Sequence, residues 1–230
     1  SVRTPGFERI IFIDFESRDE LGYPFKVTLV AEIMGKYSNL MLTDGDDKII
    51  AALKVVDFST SSMRQVLPGM TYELPPKQDK CNPLEMEKEQ FLACYAAASP
   101  QASADKWLCA TFLGLSSAMA REITYRASGD TASRLACVAP EALWAAFDGV
   151  MCCIRRADFC PHLYLDGKTP VEYAFLPLTQ YGSQLTARAG EAGEVLDWYF
   201  ATRDREARTK QHAADVLNLL THAEARLHKK

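Results

Sequence analysis

Over the first eighty residues, short apolar runs and alternating stretches are broken by clusters of turn-forming residues. Residues 9–16 start apolar on both faces, at Ile10, Ile11, Phe12 and Ile13, and then alternate as a largely buried strand does. Asp19-Glu20-Leu21-Gly22 turns the chain into a second run at residues 25–32. Gly35 can take a positive φ, and Ser38 and Asn39 can bond nearby backbone, so this stretch predicts a tight turn into a third strand at Leu40-Met41-Leu42. Asp44-Gly45-Asp46-Asp47 signals another turn, and residues 49–56 read as a fourth strand. Together these runs predict an antiparallel sheet of at least four strands. Pro75-Pro76 closes it as a stiff, extended linker.

Beyond the linker the period becomes helical. Asn82-Pro83-Leu84-Glu85 offers an N-cap, a proline at the first helical position and an acid at the third, ahead of Met86, Phe91, Leu92 and Tyr95. Residues 105–112 predict a short helix, Leu113-Gly114-Leu115-Ser116 breaks it, and residues 117–126 predict another. A helix over 140–156 places Leu143, Trp144, Phe147, Val150 and Met151 on one apolar face. Leu163-Tyr164-Leu165, an Asp166-Gly167 turn and residues 171–176 predict a hairpin. From Glu194 onward no Gly or Pro interrupts the chain. Trp198-Tyr199-Phe200 can anchor the start of this last helix, and Ala213, Val216, Leu220, Ala223 and Leu227 recur as a two-heptad coiled-coil seam. The fold class expected is α+β, divided at residues 1–80, 81–192 and 193–230.

Composition narrows the function classes. The chain has 230 residues, 48% hydrophobic and 24% charged, which is ordinary for a globular protein able to bury a sizeable core. No apolar run is long enough to cross a bilayer, so no membrane partner is expected. A net charge of −4 argues against indiscriminate nucleic-acid binding and confines any RNA site to a local patch. Seven cysteines without a disulfide-like framework suit a reducing cytosol. Cys160-Pro161-His162, near Cys152, invites a zinc reading, but no C-x₂-C or H-x₃-H spacing supports a metal. The chain lacks an initiator Met and reads as an excised segment; an exposed apolar face or edge of the sheet is expected with it.

Candidate chemistry is sparse. No nucleophile, base and acid can be assembled, there is no phosphate-binding loop, and three of the four histidines lie in the last helix. No catalytic residue and no cofactor is assigned. Two polar sites remain. Glu8-Arg9 heads the first predicted strand, where an arginine could grip a phosphate or stack on a base and its neighbouring carboxylate could orient it. Glu32-Ile33-Met34-Gly35-Lys36 ends the second. Brought together by the sheet, they would form one polar, cationic surface suited to an RNA loop. Gly114-Leu115-Ser116, between two helices, could present backbone amides to a phosphate, although an ordinary interhelical turn reads the same way.

The motif E-I-M-G-(basic)-x-S-N followed by three apolar residues, at positions 32–42, precedes Leu67-Pro68-Gly69-Met70-Thr71-Tyr72-Glu73-Leu74-Pro75-Pro76-Lys77-Gln78-Asp79-Lys80. In this order the two resemble the signature of the NFACT family of ribosome-quality-control proteins, whose older label is fibronectin-binding protein A homologues. The resemblance runs from Phe7 to the last helix. It implies the second half of the family's N-terminal domain (residues 1–80), a helix-hairpin-helix domain (81–192) and the start of a coiled coil (193–230). It also implies a cytoplasmic recruiter and not an enzyme: a protein that brings tRNA to the large ribosomal subunit carrying a stalled peptidyl-tRNA, for untemplated alanine extension of the nascent chain. Its tRNA-binding residues map to Glu8, Arg9, Glu32, Ile33, Met34 and Lys36, with Glu8 and Lys36 standing where the family usually has Asp and often has Arg. A fibronectin-binding surface adhesin and a glycosylase-like nucleic-acid enzyme are the alternatives.

Overall fold

A computed structural model describes residues 1–18, 21–76 and 78–227, without the side chains of Leu219 and residues 222–227. The chain folds as two compact units, residues 1–83 with 111–114, and residues 84–110 with 115–230.

The first unit is a five-stranded antiparallel sheet in the order β1-β2-β3-β4-β5, made of Val2–Arg3, Ile10–Arg18, Pro24–Glu32, Asn39–Thr43 and Ile49–Ala52. Register pairs Phe12 with Val30 and Val30 with Met41, so these side chains share one face. With Ile10, Ile49 and Val66 they form the core, against which Met34, Ala52, Val56 and Tyr72 pack. Burying a side chain of this size is worth about 1.5–3 kcal/mol. The opposite face is apolar too and exposes Phe15, Phe25, Leu40 and Ile50, in line with the expected apolar exposure. The polar lead contains the short strand β1, paired to β2 at Ile13 and Phe12. The fourth predicted strand is shorter than expected: β5 stops at Ala52, and Val56 instead bridges Val66 across a loop. Of the predicted turn at 19–22, Asp19 and Glu20 lie outside the described residues, as does Lys77 of the linker stretch.

The second unit holds α1 Lys88–Ala97, α2 Ala104–Thr111, α3 Ser117–Ser128 and α4 Pro140–Arg155, with the last residue of α2 counted in the first unit. The Asn82-Pro83 start signal misplaces α1, which begins at Lys88; its N-cap is Glu87, whose amide donates to Gln90 Oε1 at 3.3 Å. A capping box five residues on from Asn82 outcompetes a proline signal that has no apolar period immediately behind it. Phe91 is fully buried, with its ring 5.4 Å from Trp107, 5.3 Å from Trp144 and 5.0 Å from Phe147. The expected apolar face of α4 is the one that buries, at Leu143, Phe147, Val150 and Met151.

A three-stranded antiparallel sheet follows, in the order β7-β6-β8, from His162–Asp166, Thr169–Ala174 and Thr186–Ala189. The hairpin β6–β7 was expected; β8, with the short alternation Thr186-Ala187-Arg188-Ala189 and no buried side chain, was not. The final helix α5, Ala192–Leu227, seats Val195 and Tyr199 against Leu163 and Leu165. Tyr199 is therefore the anchor within Trp198-Tyr199-Phe200, and its neighbours stay partly exposed. Of the predicted seam, Val216 and Leu220 are exposed, while the side chains of Ala223 and Leu227 lie outside the described residues.

Candidate nucleic-acid interface

Antiparallel pairing of β2 with β3 sets Ile10 opposite Glu32, and one step beyond, the Ile33 amide donates to the Arg9 carbonyl at 2.8 Å. The sheet thus brings the 8–9 and 32–36 stretches together at one end. Arg9 is exposed and Glu8 half-buried, and no ion pair joins them among the described residues. Ile33 is exposed at 53% and Lys36 is exposed, its ammonium 4.8 Å above the Tyr37 ring. Gly35 takes φ +59° and opens a 3₁₀ turn, Gly35–Tyr37, which the Ser38 hydroxyl closes by accepting from the Met34 amide at 2.9 Å. Met34 points the other way, half-buried against the sheet core.

Glu32 does not belong on the exposed surface that the sequence suggested. It is 4% exposed, and both its oxygens are engaged: Arg64 Nη1 donates to Oε2 at 3.1 Å, Tyr72 donates to Oε1 at 2.9 Å, and Arg64 Nη2 lies 2.8 Å from Oε1. Arg64 Nη2 approaches as an ion-pair partner without the alignment of a hydrogen bond, and Arg64 Nε is buried without a hydrogen-bond partner. The Arg64 guanidinium also lies 5.0 Å from the Tyr72 ring centroid. Burial first, then the neighbouring Glu32 charge, pushes the Tyr72 hydroxyl pKa well above its ordinary value. A charge buried this far requires a paired partner. Glu32 therefore anchors residues 64–72 under the sheet end, and its alternation into the buried face follows directly from register.

Asn39, opposite Glu32, performs a second clamp: its Nδ2 donates to the Lys54 carbonyl and its Oδ1 accepts from the Lys54 amide, both at 2.8 Å. Lys54 Nζ reaches the Lys36 carbonyl at 3.3 Å. Arg64, Lys54 and Tyr72 were missed as members of this cluster. Tyr72 lay inside a quoted motif, whereas Arg64 and Lys54 had no local signal because their partners are 32 and 15 residues away.

The predicted phosphate hairpin looks different in atoms. Gly114 has φ +72°, and a Cβ there would come within 2.6 Å of the Phe7 ring, so the glycine meets a steric need within the first unit. Residues 111–114 are stitched to Cys81, which donates to the Thr111 carbonyl at 2.8 Å and accepts from the Leu113 amide at 3.0 Å. Ser116 caps α3 by accepting from the Met119 amide at 3.2 Å, which occupies one of the donors that a phosphate would need. Elsewhere Glu122 is fully buried on α3 and accepts from Arg126 Nε at 2.6 Å, Thr179 Oγ1 at 2.8 Å and the Gln180 amide at 2.9 Å. Burial alone would raise its pKa, but these hydrogen bonds outweigh it and hold the carboxyl below its ordinary value. This is a latch between α3 and the 176–182 segment. Among the described residues no group of three or more His, Cys, Asp or Glu is arranged to hold a metal, and no helix is long and apolar enough to cross a membrane.

The chain is similar to known proteins of one family. The family description "NFACT N-terminal and middle domains" matches residues 1–230. The chain is 35% identical over 224 residues to the Rqc2 homolog RqcH of Bacillus subtilis, covering 94% of this chain and 36% of that protein. It is 38% identical over 117 residues to the Rqc2 homolog RqcH of Streptococcus suis, covering 50% of this chain and 21% of that one. It therefore spans about a third of the first relative's length. Two solved structures share the fold. One is the fibrinogen binding protein from Staphylococcus aureus, with TM-score 0.69, 29% identity and coverage of 86% of this chain and 68% of that one. The other is the N-terminal part of the fibronectin/fibrinogen-binding protein from Streptococcus suis, with TM-score 0.64, 29% identity and coverage of 87% and 66%. The family match over residues 1–230, together with the 35% identity over 94% of the chain, shows that the chain belongs to the NFACT family and is RqcH-like.

Proposed function

We propose that this chain is the tRNA-engaging part of a cytoplasmic ribosome-quality-control factor. It recruits tRNA to large ribosomal subunits that carry a stalled peptidyl-tRNA, for untemplated alanine tailing. The chain acts as a recruiter, and the peptide bond is made on the ribosome. In this reading α2 and α3 form a helix-hairpin-helix and α5 starts a coiled coil. The observation that carries the proposal is the Ile33–Arg9 hydrogen bond of 2.8 Å, which joins the 8–9 and 32–36 stretches at one sheet end where Arg9, Ile33 and Lys36 face solvent. The contacts assigned to tRNA are Arg9, Ile33 and Lys36, flanked by Glu8 and backed by Met34, with Glu32 as the buried support. An arginine beside an exposed apolar side chain suits an unpaired RNA loop, where phosphate and base face are reached together.

The test is tRNA binding by the parent, Arg9→Ala and Lys36→Ala at several salt concentrations. Loss of one phosphate contact weakens binding and makes the salt dependence shallower by about one unit of slope. Equal affinity and slope in all three would remove the assignment. The solved relatives named as fibrinogen- or fibronectin-binding supply the rival reading, a surface adhesin. Fibronectin bound by the parent and by both variants alike, with no tRNA bound, would favour it.

A further inference from the structure

Val56 and Val66 exchange amide-to-carbonyl hydrogen bonds of 3.1 and 2.7 Å and close residues 57–65 into a loop. Its interior is polar. Asp57 Oδ1 accepts from Ser59 Oγ at 2.6 Å, from Thr60 Oγ1 at 2.9 Å and from both of their amides, while Ser61 Oγ accepts from the amides of Met63 and Arg64. Its exterior is apolar at Phe58 and Met63, which are 76% and 77% exposed. A loop ordered by its own hydrogen bonds holds this ring in a fixed, accessible place, which is where binding residues commonly sit.

The loop is tied to the proposed RNA surface at two points: Lys54, two residues before Val56, is clamped by Asn39 and reaches the Lys36 carbonyl, and Arg64, within the loop, is held by the buried Glu32. Glu32 and Asn39 are themselves a cross-strand pair. With the buried Glu32–Arg64 pair cancelling, the charges left here are Arg9, Lys36 and Lys54 against Glu8 and Asp57, an excess of one cation in a chain of net −4. Glu32 engages both carboxylate oxygens internally and Asp57 its Oδ1, and the acidic turn at 44–47 lies at the far end of β4. Aromatic surface beside outward-facing cations fits unpaired nucleotides better than a duplex, whose bases are already stacked.

We propose that Phe58 is a stacking platform for an unpaired RNA base, with Arg9, Lys36 and Lys54 holding the flanking phosphates. The proposal rests on the RNA reading above, which already points to an unpaired RNA loop, and adds to it the 57–65 loop with Phe58 as the contact to a base. The 230-residue chain is titrated at low salt with an RNA hairpin carrying 2-aminopurine in its loop, and with a blunt duplex of equal length. The parent binds the hairpin more tightly than the duplex and shifts the 2-aminopurine fluorescence. Phe58→Ala weakens hairpin binding roughly 5- to 150-fold and loses the fluorescence shift. It leaves the salt slope unchanged, because no phosphate contact is removed. Phe58→Trp keeps both affinity and shift. If Phe58→Ala binds like the parent while Arg9→Ala weakens binding, the stacking platform is wrong and the RNA surface stands. If hairpin and duplex bind the parent equally, the assignment to unpaired bases is wrong. A parent that binds neither RNA removes both the platform and the surface.

Discussion

Glu32 and Arg64, 32 residues apart, meet at 2.8 Å beneath the end of the sheet, with the Tyr72 hydroxyl on the same carboxylate. Removing one partner of such a pair leaves the other buried and uncompensated. Glu32→Ala should cost about 3 kcal/mol, the lower end for a buried pair, because Arg64 keeps 14% of its side chain exposed. Urea unfolding measures this. The double variant Glu32→Ala, Arg64→Met should lose less than the two single losses added together, since neither charge is then stranded. A Glu32→Ala chain that unfolds at the parent's midpoint would put the pair outside the stability of the sheet.

Met34 and Arg9 should part company under the same measurements. Met34 is half-buried against the core, so Met34→Ala should cost about 1–2 kcal/mol, less than the 2–5 of a fully buried methionine. Arg9 is exposed, and Arg9→Ala should stay within about 0.5 kcal/mol of the parent. Thermal melts alongside tRNA titrations separate the two: a Met34→Ala chain as stable as the parent would move that side chain from the core to the surface.

Acid should open the 57–65 loop at the lowest pH values. Four hydrogen bonds to Asp57, led by the Ser59 and Thr60 hydroxyls, lower its pKa to about 2. A depressed carboxyl stabilises the folded loop fully above its ordinary pKa, near 4, and that contribution is lost as pH falls through about 2. NMR titration of the Ser59 and Thr60 amides should therefore show flat shifts above about pH 4 and a transition toward pH 2. In Asp57→Asn the transition disappears. A midpoint near 4 in the parent would mean that the hydroxyls do not hold the carboxylate.

Local pattern made much of this fold legible. The apolar face of α4, the strand at 25–32 and the glycine turn at Gly35 all follow from signals within a few residues. Partnerships across the chain did not. Period alone puts Glu32 on the same face as Val30, but nothing near it tells of Arg64 or Tyr72, so a buried acid reads in sequence as a solvated one. β8 escaped notice because all four of its residues are exposed and no hydrophobic alternation marks it. Proximity of Arg9 to Ile33 was legible only conditionally, since register had to be known before the two stretches could be set side by side.

The Gly114 turn separates a packing role from a ligand-binding one. Its φ of +72° is in the left-handed region, which costs a residue with a Cβ about 1–2 kcal/mol. The added methyl would also meet Phe7 Cδ1 at 2.6 Å and Cβ at 2.9 Å, too close to relieve by turning the ring alone. Gly114→Ala should therefore cost more than the backbone term in the parent. In a Phe7→Ala background, where the ring is gone, it should fall back to about 1–2 kcal/mol. Denaturant unfolding of the four chains in this cycle reads the coupling directly. An equal cost of Gly114→Ala with and without the Phe7 ring would show that the ring does not set the requirement. The glycine would then be kept for its backbone conformation alone.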